Sequence, residues 1–249
     1  NFISFIIIYI KMVKVLKVAD VADEFHIKHK IFDLPFRLLL NSKSQIGMGK
    51  TTLILNLLLN PDMDYGKYFK GENIYIISNN KLDNKLKMLA EYKEIPGENI
   101  MSYDEGILMN LYDELEEEFL EEKKDKKFNH RLLIMDDVGY SGSLKNKQSG
   151  VISKLISNGR HLGLSQIYTT QRFTMCSSTM KSNVTGACFG NTSMAELEQI
   201  AESFNYLNSK KEFITLFRKY TAEPRSFLCV NFTNDDGIYQ DSEFNTIKI

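Results

Sequence analysis

The sequence predicts an α/β domain built on a mostly parallel sheet with helices on both faces. Three observations carry this prediction. A glycine-rich loop joins an apolar run to a helical repeat across residues 36–58. Short runs that are apolar throughout, rather than alternating, recur at 74–77 and 132–135, as expected of strands covered on both faces. Between them lie stretches whose leucines and phenylalanines return at helical spacing. The chain has 249 residues, 43% of them hydrophobic and 25% charged, which is enough to bury one full core. We expect an N-terminal segment over 1–29, the phosphate-loop domain over 30–232 and a polar tail over 233–249.

Taken in order, the chain opens on an apolar run from Phe2 to Ile10. Nine residues are too few to span a bilayer core of about 30 Å as a helix. No basic start or cleavage site marks a signal peptide. Two readings stand: Met12 is the true start and residues 1–11 lie upstream of it, or the run is a short buried strand.

Phe36 to Leu40 reads as a strand running into a turn at Asn41 and Ser42. The loop follows as Ser44, Gln45, Ile46, Gly47, Met48, Gly49, Lys50, Thr51 and Thr52. Leu53, Ile54, Leu57 and Leu58 then recur with helical period, so a helix is expected from about Lys50. Strand, glycine loop and helix are the context that a phosphate-binding loop requires. Gly47 and Gly49 let successive N–H groups turn toward one anion, and the helix N-terminus adds to the attraction. Lys50 is placed for the β- and γ-phosphates of ATP, and the Thr51 hydroxyl for Mg²⁺. Ser44 departs from the pattern, which has glycine there.

Beyond a turn-rich connection over 61–71, Asn73 to Ser78 reads as a buried strand. Leu82 to Tyr92 is expected to be a helix stopped by Pro96-Gly97, with a short strand at 99–102. Leu108, Leu111, Leu115 and Phe119 then share one face of a long helix. Its other face is acidic, with seven acids among the ten residues from Asp113 to Glu122, and Lys123, Lys124, Lys126 and Lys127 close it. This is a solvated face whose lysines suit the helix dipole, or else an interaction tail. Arg131 to Asp137 is a strand that delivers Asp136 and Asp137 to the carboxyl edge of the sheet, where open α/β sheets bind ligands. Asp136 would hold Mg²⁺, directly or through water, and Asp137 would orient the attacking water.

A helix over about 148–158 leads to Arg160, and a strand over 165–170 ends at Gln171. Gln171 either senses the γ-phosphate or attacking water, or simply caps a turn. Further helices are expected through Met194 to Phe204 and Phe213 to Tyr220, and a late strand over 225–232.

Several function classes drop out. A net charge of −1 offers no global surface for nucleic acid or membrane. Cys176, Cys188 and Cys229 form no metal-ligand or disulfide pattern. Asp136 to Gly139 and Asn80 to Asp83 fit the D-x-x-G and N-K-x-D motifs of GTP-binding switches. Their order along the chain is reversed, however, so Asn80 to Asp83 is read as a turn entering a helix.

Four blocks together resemble the viral branch of the FtsK–HerA superfamily, the genome-packaging ATPases of poxviruses, other large DNA viruses and virophages. They are Phe32-Asp-Leu-Pro-Phe-Arg-Leu, Ile74 to Ser78, Leu133-Ile-Met-Asp-Asp, and Arg160-His-Leu-Gly-Leu-Ser-Gln-Ile-Tyr-Thr-Thr-Gln171. The resemblance spans roughly 30–232. It implies a RecA-like P-loop NTPase core in a homo-oligomeric ring that uses ATP and Mg²⁺ to pump double-stranded DNA into a preformed capsid. Capsid or portal-vertex proteins would be partners, no membrane would be involved, and the site of action would be the host cytoplasm at viral assembly sites or the virion. Lys50 and Thr51 become the phosphate and Mg²⁺ residues, Asp136 the metal acid, Asp137 the catalytic acid and Gln171 the sensor. Arg160 is implied as an arginine finger for a neighbouring subunit's nucleotide; its alternative is a helix-end arginine bound to carbonyls. Lys181-Ser182-Asn183 departs from the family, which often has arginine where Lys181 stands. For DNA, Ser141 to Gln148 with Lys145 and Lys147 could line a pore, or be an ordinary surface loop. Two other functions stay open: a different FtsK–HerA-type translocase or helicase-like ATPase, and a nucleotide-binding assembly factor with little hydrolysis.

Overall fold

In the computed structural model, residues 24–43, 49–80, 83–125, 127–137 and 150–249 are described. Its first strand, β1 (Arg37–Asn41), shows how the sheet is built. Side chains alternate across a strand, so Leu38 and Leu40 enter one apolar layer while Leu39 enters the other. The same alternation divides β2 (Ile74–Ser78) and β4 (Arg131–Asp136) between the two layers. This is why the sequence carries unbroken apolar runs there.

Helices α1 (Lys50–Leu59) and α2 (Asn84–Lys93) cover one face. The opposite face is covered by α3 (Glu105–Asp125), α4 (Gly150–Asn158), α6 (Met194–Phe204) and α7 (Lys210–Tyr220), with the short α5 (Ser178–Asn183) beside them. Local chemistry sets their ends. Asp83 caps α2 by accepting from the N–H groups of Lys85 and Leu86, while Ser177, Ser193 and Ser209 do the same for α5, α6 and α7. Asp83 thus serves as the helix entry expected of the Asn80–Asp83 turn.

The remaining strands are β3 (Ile100–Met101), β5 (Leu164–Thr170), β6 (Gly186–Phe189), β7 (Leu228–Asn231) and β8 (Tyr239–Gln240). Among the described residues they complete an eight-stranded sheet in the order β3-β2-β4-β5-β1-β6-β7-β8. Pairing is parallel from β3 to β6 and antiparallel from β6 to β8. The mostly parallel α/β architecture agrees with the sequence expectation. Two consequences matter for the site: β1 lies between β5 and β6, and β5 separates β1 from β4.

The acidic helix has a structural task. Arg131 is buried, and its guanidinium binds Glu122 at 2.6 Å and Glu118 at 2.9 Å on α3, with the Leu162 carbonyl at 3.2 Å. Two of the acids therefore anchor α3 to the head of β4 instead of serving only as a solvated face. Residues beyond Thr233 are not a loose tail: β8 pairs with β7, and Phe244 is buried against Phe32. Phe25 and Ile27 likewise belong to the fold, through burial and a bridge to Leu34.

Candidate active site

Gly49 turns the chain into α1 with φ 84°, a left-handed conformation that suits glycine, and its carbonyl accepts the Leu53 N–H at 2.7 Å. Ser44, Gln45, Ile46, Gly47 and Met48 lie outside the described residues. So does the 141–148 loop with Lys145 and Lys147. Lys50 follows immediately, and its ammonium donates to the Ser42 carbonyl at 2.9 Å. Burial lowers the Lys50 pKa, and the charges of Asp137 and Asp136 oppose that shift.

Asp136 ends β4, buried, and its Oδ1 accepts from the Thr169 hydroxyl at 2.7 Å. The same hydroxyl oxygen accepts the Asp137 N–H at 2.8 Å, so Thr169 of β5 fixes both acids. Asp137 has a left-handed φ of 51°, a strained conformation for a residue with a side chain. Its Oδ2 accepts from the Gln171 amide at 2.7 Å. That bond leaves the other carboxylate oxygen available to a water. The strand order makes this geometry: β5 lies beside β4, so Gln171 reaches the acid across one strand spacing.

Burial raises the Asp136 pKa above its usual value; neighbouring Asp137 and Asp83 add to the shift, while the Thr169 bond and Lys50 oppose it. Such a carboxyl contributes stability fully below its unfolded pKa and loses it as pH rises through the folded one. The ionised form of Asp136 is thus a destabilising charge in the nucleotide-free protein. The donor set fits Mg²⁺, a hard cation that takes oxygen ligands and needs only one or two carboxylates beside substrate phosphates: the Asp136 carboxylate and the Thr51 hydroxyl would hold it. Among the described residues no cluster of three or more acidic, histidine or cysteine side chains suits a metal, so an all-protein cage is not what these residues make. We expect Asp136→Asn to raise the midpoint of thermal unfolding of the nucleotide-free protein at pH 7. The gain should shrink as pH falls, and differential scanning fluorimetry across pH checks it; an unchanged or lowered midpoint contradicts this account.

Arg160 stands apart from this group. It lies in the helical turn Gly159–Leu162 that feeds the start of β5, exposed, with its Nε donating to His161 at 3.2 Å. Its charge acts on Arg37 at the head of β1, which places it at the amino edge of the sheet. Seven residues of β5 separate that turn from Gln171, roughly 20 Å at strand rise. Within its own subunit Arg160 therefore does not reach the phosphate loop. The carbonyl-capping alternative is not what the described bonds show. Lys181, at the departure from the family pattern, places its ammonium 4.2 Å from the centre of the Phe173 ring.

Sequence reasoning missed three features of the site. Thr169 has a legible signal, since it shares a strand face with Gln171 at spacing two. Lys85, which donates to Thr52 at 2.6 Å, has none. Nor do Arg225 and Phe227, which come to lie against Gly49 from far along the chain.

A family model described as Poxvirus A32 protein matches residues 23–243. The DNA packaging protein OPG160 of Variola virus is 25% identical over 194 residues, covering 76% of this chain and 66% of its own length. The protein of the same name from Vaccinia virus (strain Copenhagen) is 24% identical over 221 residues, covering 87% of this chain and 75% of its own. Among solved structures, the genome packaging NTPase B204 from Sulfolobus turreted icosahedral virus 2, in complex with sulfate, superposes with a TM-score of 0.57. It is 18% identical and covers 86% of this chain and 97% of its own. The same NTPase with ATP-gammaS gives 0.55 at 18% identity, covering 84% and 97%. At such identity the likeness speaks for the fold. No helix among the described residues is long and apolar enough to cross a membrane.

Proposed function

The chain belongs to the poxvirus A32 protein family, and from that premise we propose that it is an ATP-hydrolysing motor subunit that drives double-stranded DNA into a viral capsid. One observation carries the reading: Lys50, Asp136, Asp137 and Gln171, scattered over 122 residues of sequence, converge at one edge of the sheet. Relatives named as DNA packaging proteins and a fold shared with a genome packaging NTPase supply the DNA and capsid context. That context would place the work at viral assembly sites.

In this reading Lys50 leaves the Ser42 carbonyl for the β- and γ-phosphates. Asp137 accepts from the attacking water and takes its proton as the water oxygen bonds the γ-phosphorus and the bond to the ADP oxygen breaks. Gln171 holds Asp137 in that direction and registers the γ-phosphate. Asp136 and Thr51 would hold Mg²⁺, which would neutralise charge on the phosphate oxygens. Arg160, exposed at the opposite edge, suits a neighbour's nucleotide, which requires a ring.

Hydrolysis by purified protein, measured with and without long double-stranded DNA, tests the proposal. We expect DNA to raise turnover and Lys50→Ala to abolish it in both conditions. Turnover indifferent to DNA counts against translocation, and Lys50-dependent binding without turnover favours an assembly factor.

A further inference from the structure

The site described so far handles phosphates; the turn between α7 and β7 points to what handles the rest of the nucleotide. This inference rests on the ATP reading. Asp137 and Gln171 lie on the β5 side of β1. A triphosphate whose last phosphate meets them, and whose middle phosphate meets Lys50 at the head of α1, would continue in the direction of β6. Its sugar and base therefore emerge over the ends of β6 and β7 at the carboxyl edge.

The turn over 221–227 crosses the sheet at that place. A Cβ built on Gly49 would lie 3.5 Å from the Phe227 ring, and one on Gly190, just past β6, also 3.5 Å from it. The ring is thus wedged between the phosphate loop and the end of β6. Its backbone is held on both sides by Ser242, whose hydroxyl accepts the Phe227 N–H at 2.7 Å and donates to the Phe227 carbonyl at 3.2 Å.

Arg225 sits at the corner of this turn. Its φ is 66°, a left-handed value that is uncommon for a long side chain. Its Cβ is 3.7 Å from a Cβ built on Gly49. The residue is exposed, and its guanidinium makes no hydrogen bond or ion pair among the described residues. A strained backbone that carries an unpartnered planar cation beside the phosphate loop has no evident structural purpose. Where the turn begins, at Thr221 and Ala222, a cavity of about 240 Å³ lies between α6 and α7, with Asn191, Thr192 and Arg218 also in its wall. Its rim is tied to the exit of β1, because the Asn191 carbonyl accepts the Lys43 N–H at 3.3 Å.

We propose that the 221–227 turn is the base-side wall of the nucleotide site, with the Arg225 guanidinium stacked on the face of the base. Asn191 and Thr192 offer amide and hydroxyl groups to the sugar and base edges. A guanidinium suits this task because it is flat, permanently charged and weakly hydrated, which an ammonium is not.

The test compares two ligands, ATP and inorganic tripolyphosphate, by calorimetric titration of the full chain. Arg225→Gly is the informative variant, since glycine accepts the left-handed turn without strain and should leave the unfolding midpoint equal or higher. We expect it to weaken ATP binding about tenfold, the scale of a desolvated cation–π contact, with tripolyphosphate affinity unchanged. Arg225→Lys should fall between wild type and Arg225→Gly, because an ammonium keeps part of the cation–π attraction but not the planar stack. Equal loss for both ligands would put the guanidinium on the phosphates and overturn the proposal, as would no loss for either. Wild-type protein that binds neither ligand, or Lys50→Ala protein that binds both as wild type does, would bring down the ATP reading itself and this inference with it.

Discussion

Asp137→Asn should lower ATP turnover by about 10³-fold while leaving ATP binding near wild type. In the proposed mechanism the carboxylate accepts a proton from water, and general-base catalysis contributes about 10²–10⁴. The amide that replaces it keeps the volume and can still meet Gln171 and the Thr169-fixed backbone, but it does not take up a proton. Single-turnover hydrolysis beside a binding titration separates the two effects. A parallel loss of binding would mean that Asp137 holds nucleotide or metal instead. The same variant tests the placement of Arg160. Arg160→Ala should also be slow, since an arginine finger is worth roughly 10³–10⁵ in rate. In a mixture of the two inactive proteins, some subunits with an intact Asp137 would face a neighbour with an intact Arg160. Activity recovered on mixing is the expected result; none recovered would exclude Arg160 from acting across a subunit boundary.

Arg131→Ala should destabilise the fold by about 3–5 kcal/mol, the usual cost of removing one partner from a buried ion pair. Only 2% of the Arg131 side chain is exposed, and 11% of Glu122. The substitution leaves the Glu122 carboxylate without its cation and the Leu162 carbonyl without its donor. Glu118 is about half exposed, so Glu118→Ala should cost no more than about 1 kcal/mol, as surface pairs do. Denaturant unfolding of both variants checks the contrast, and Arg131→Ala should lower the midpoint temperature by roughly 10 °C. Equal effects would mean that the pair acts as a surface bridge despite its burial. The location matters because β4 carries Asp136 and Asp137 at its far end. Anchoring its head to α3 holds the strand that presents the acids.

The sequence alone was enough to identify the elements that carry the candidate site. Each is written within about ten residues. Leu38 to Leu40 alternate between two layers, Lys50 opens a helix that Leu53, Ile54, Leu57 and Leu58 make apolar, and Leu132 to Met135 drive a strand that ends in two acids. Burial enforces these patterns locally, so periodicity reveals them. Elements without such a pattern stayed hidden. Gly186 to Phe189 is too short to show one, Ser178 to Asn183 is a helix of six residues, and Tyr239-Gln240 becomes a strand because β7 offers it a free edge.

Tertiary structure decided how the elements meet. No local rule places β5 between β1 and β4, yet that order joins Gln171 and Thr169 to the acids. It also sends Arg160 to the opposite edge. The acids of α3 read as solvent-facing charge until the chain turns back after the helix and packs Arg131, 13 residues after Glu118 and 9 after Glu122, beneath them. Arg225 and Phe227 lie about 175 residues beyond Gly49, and only the antiparallel return of β7 brings them against the phosphate loop. The physical reason is the same in each case. Hydrogen bonding and periodic burial act between near neighbours and leave a mark in the sequence, whereas sheet order is set by the packing of whole layers, to which no single stretch of residues testifies.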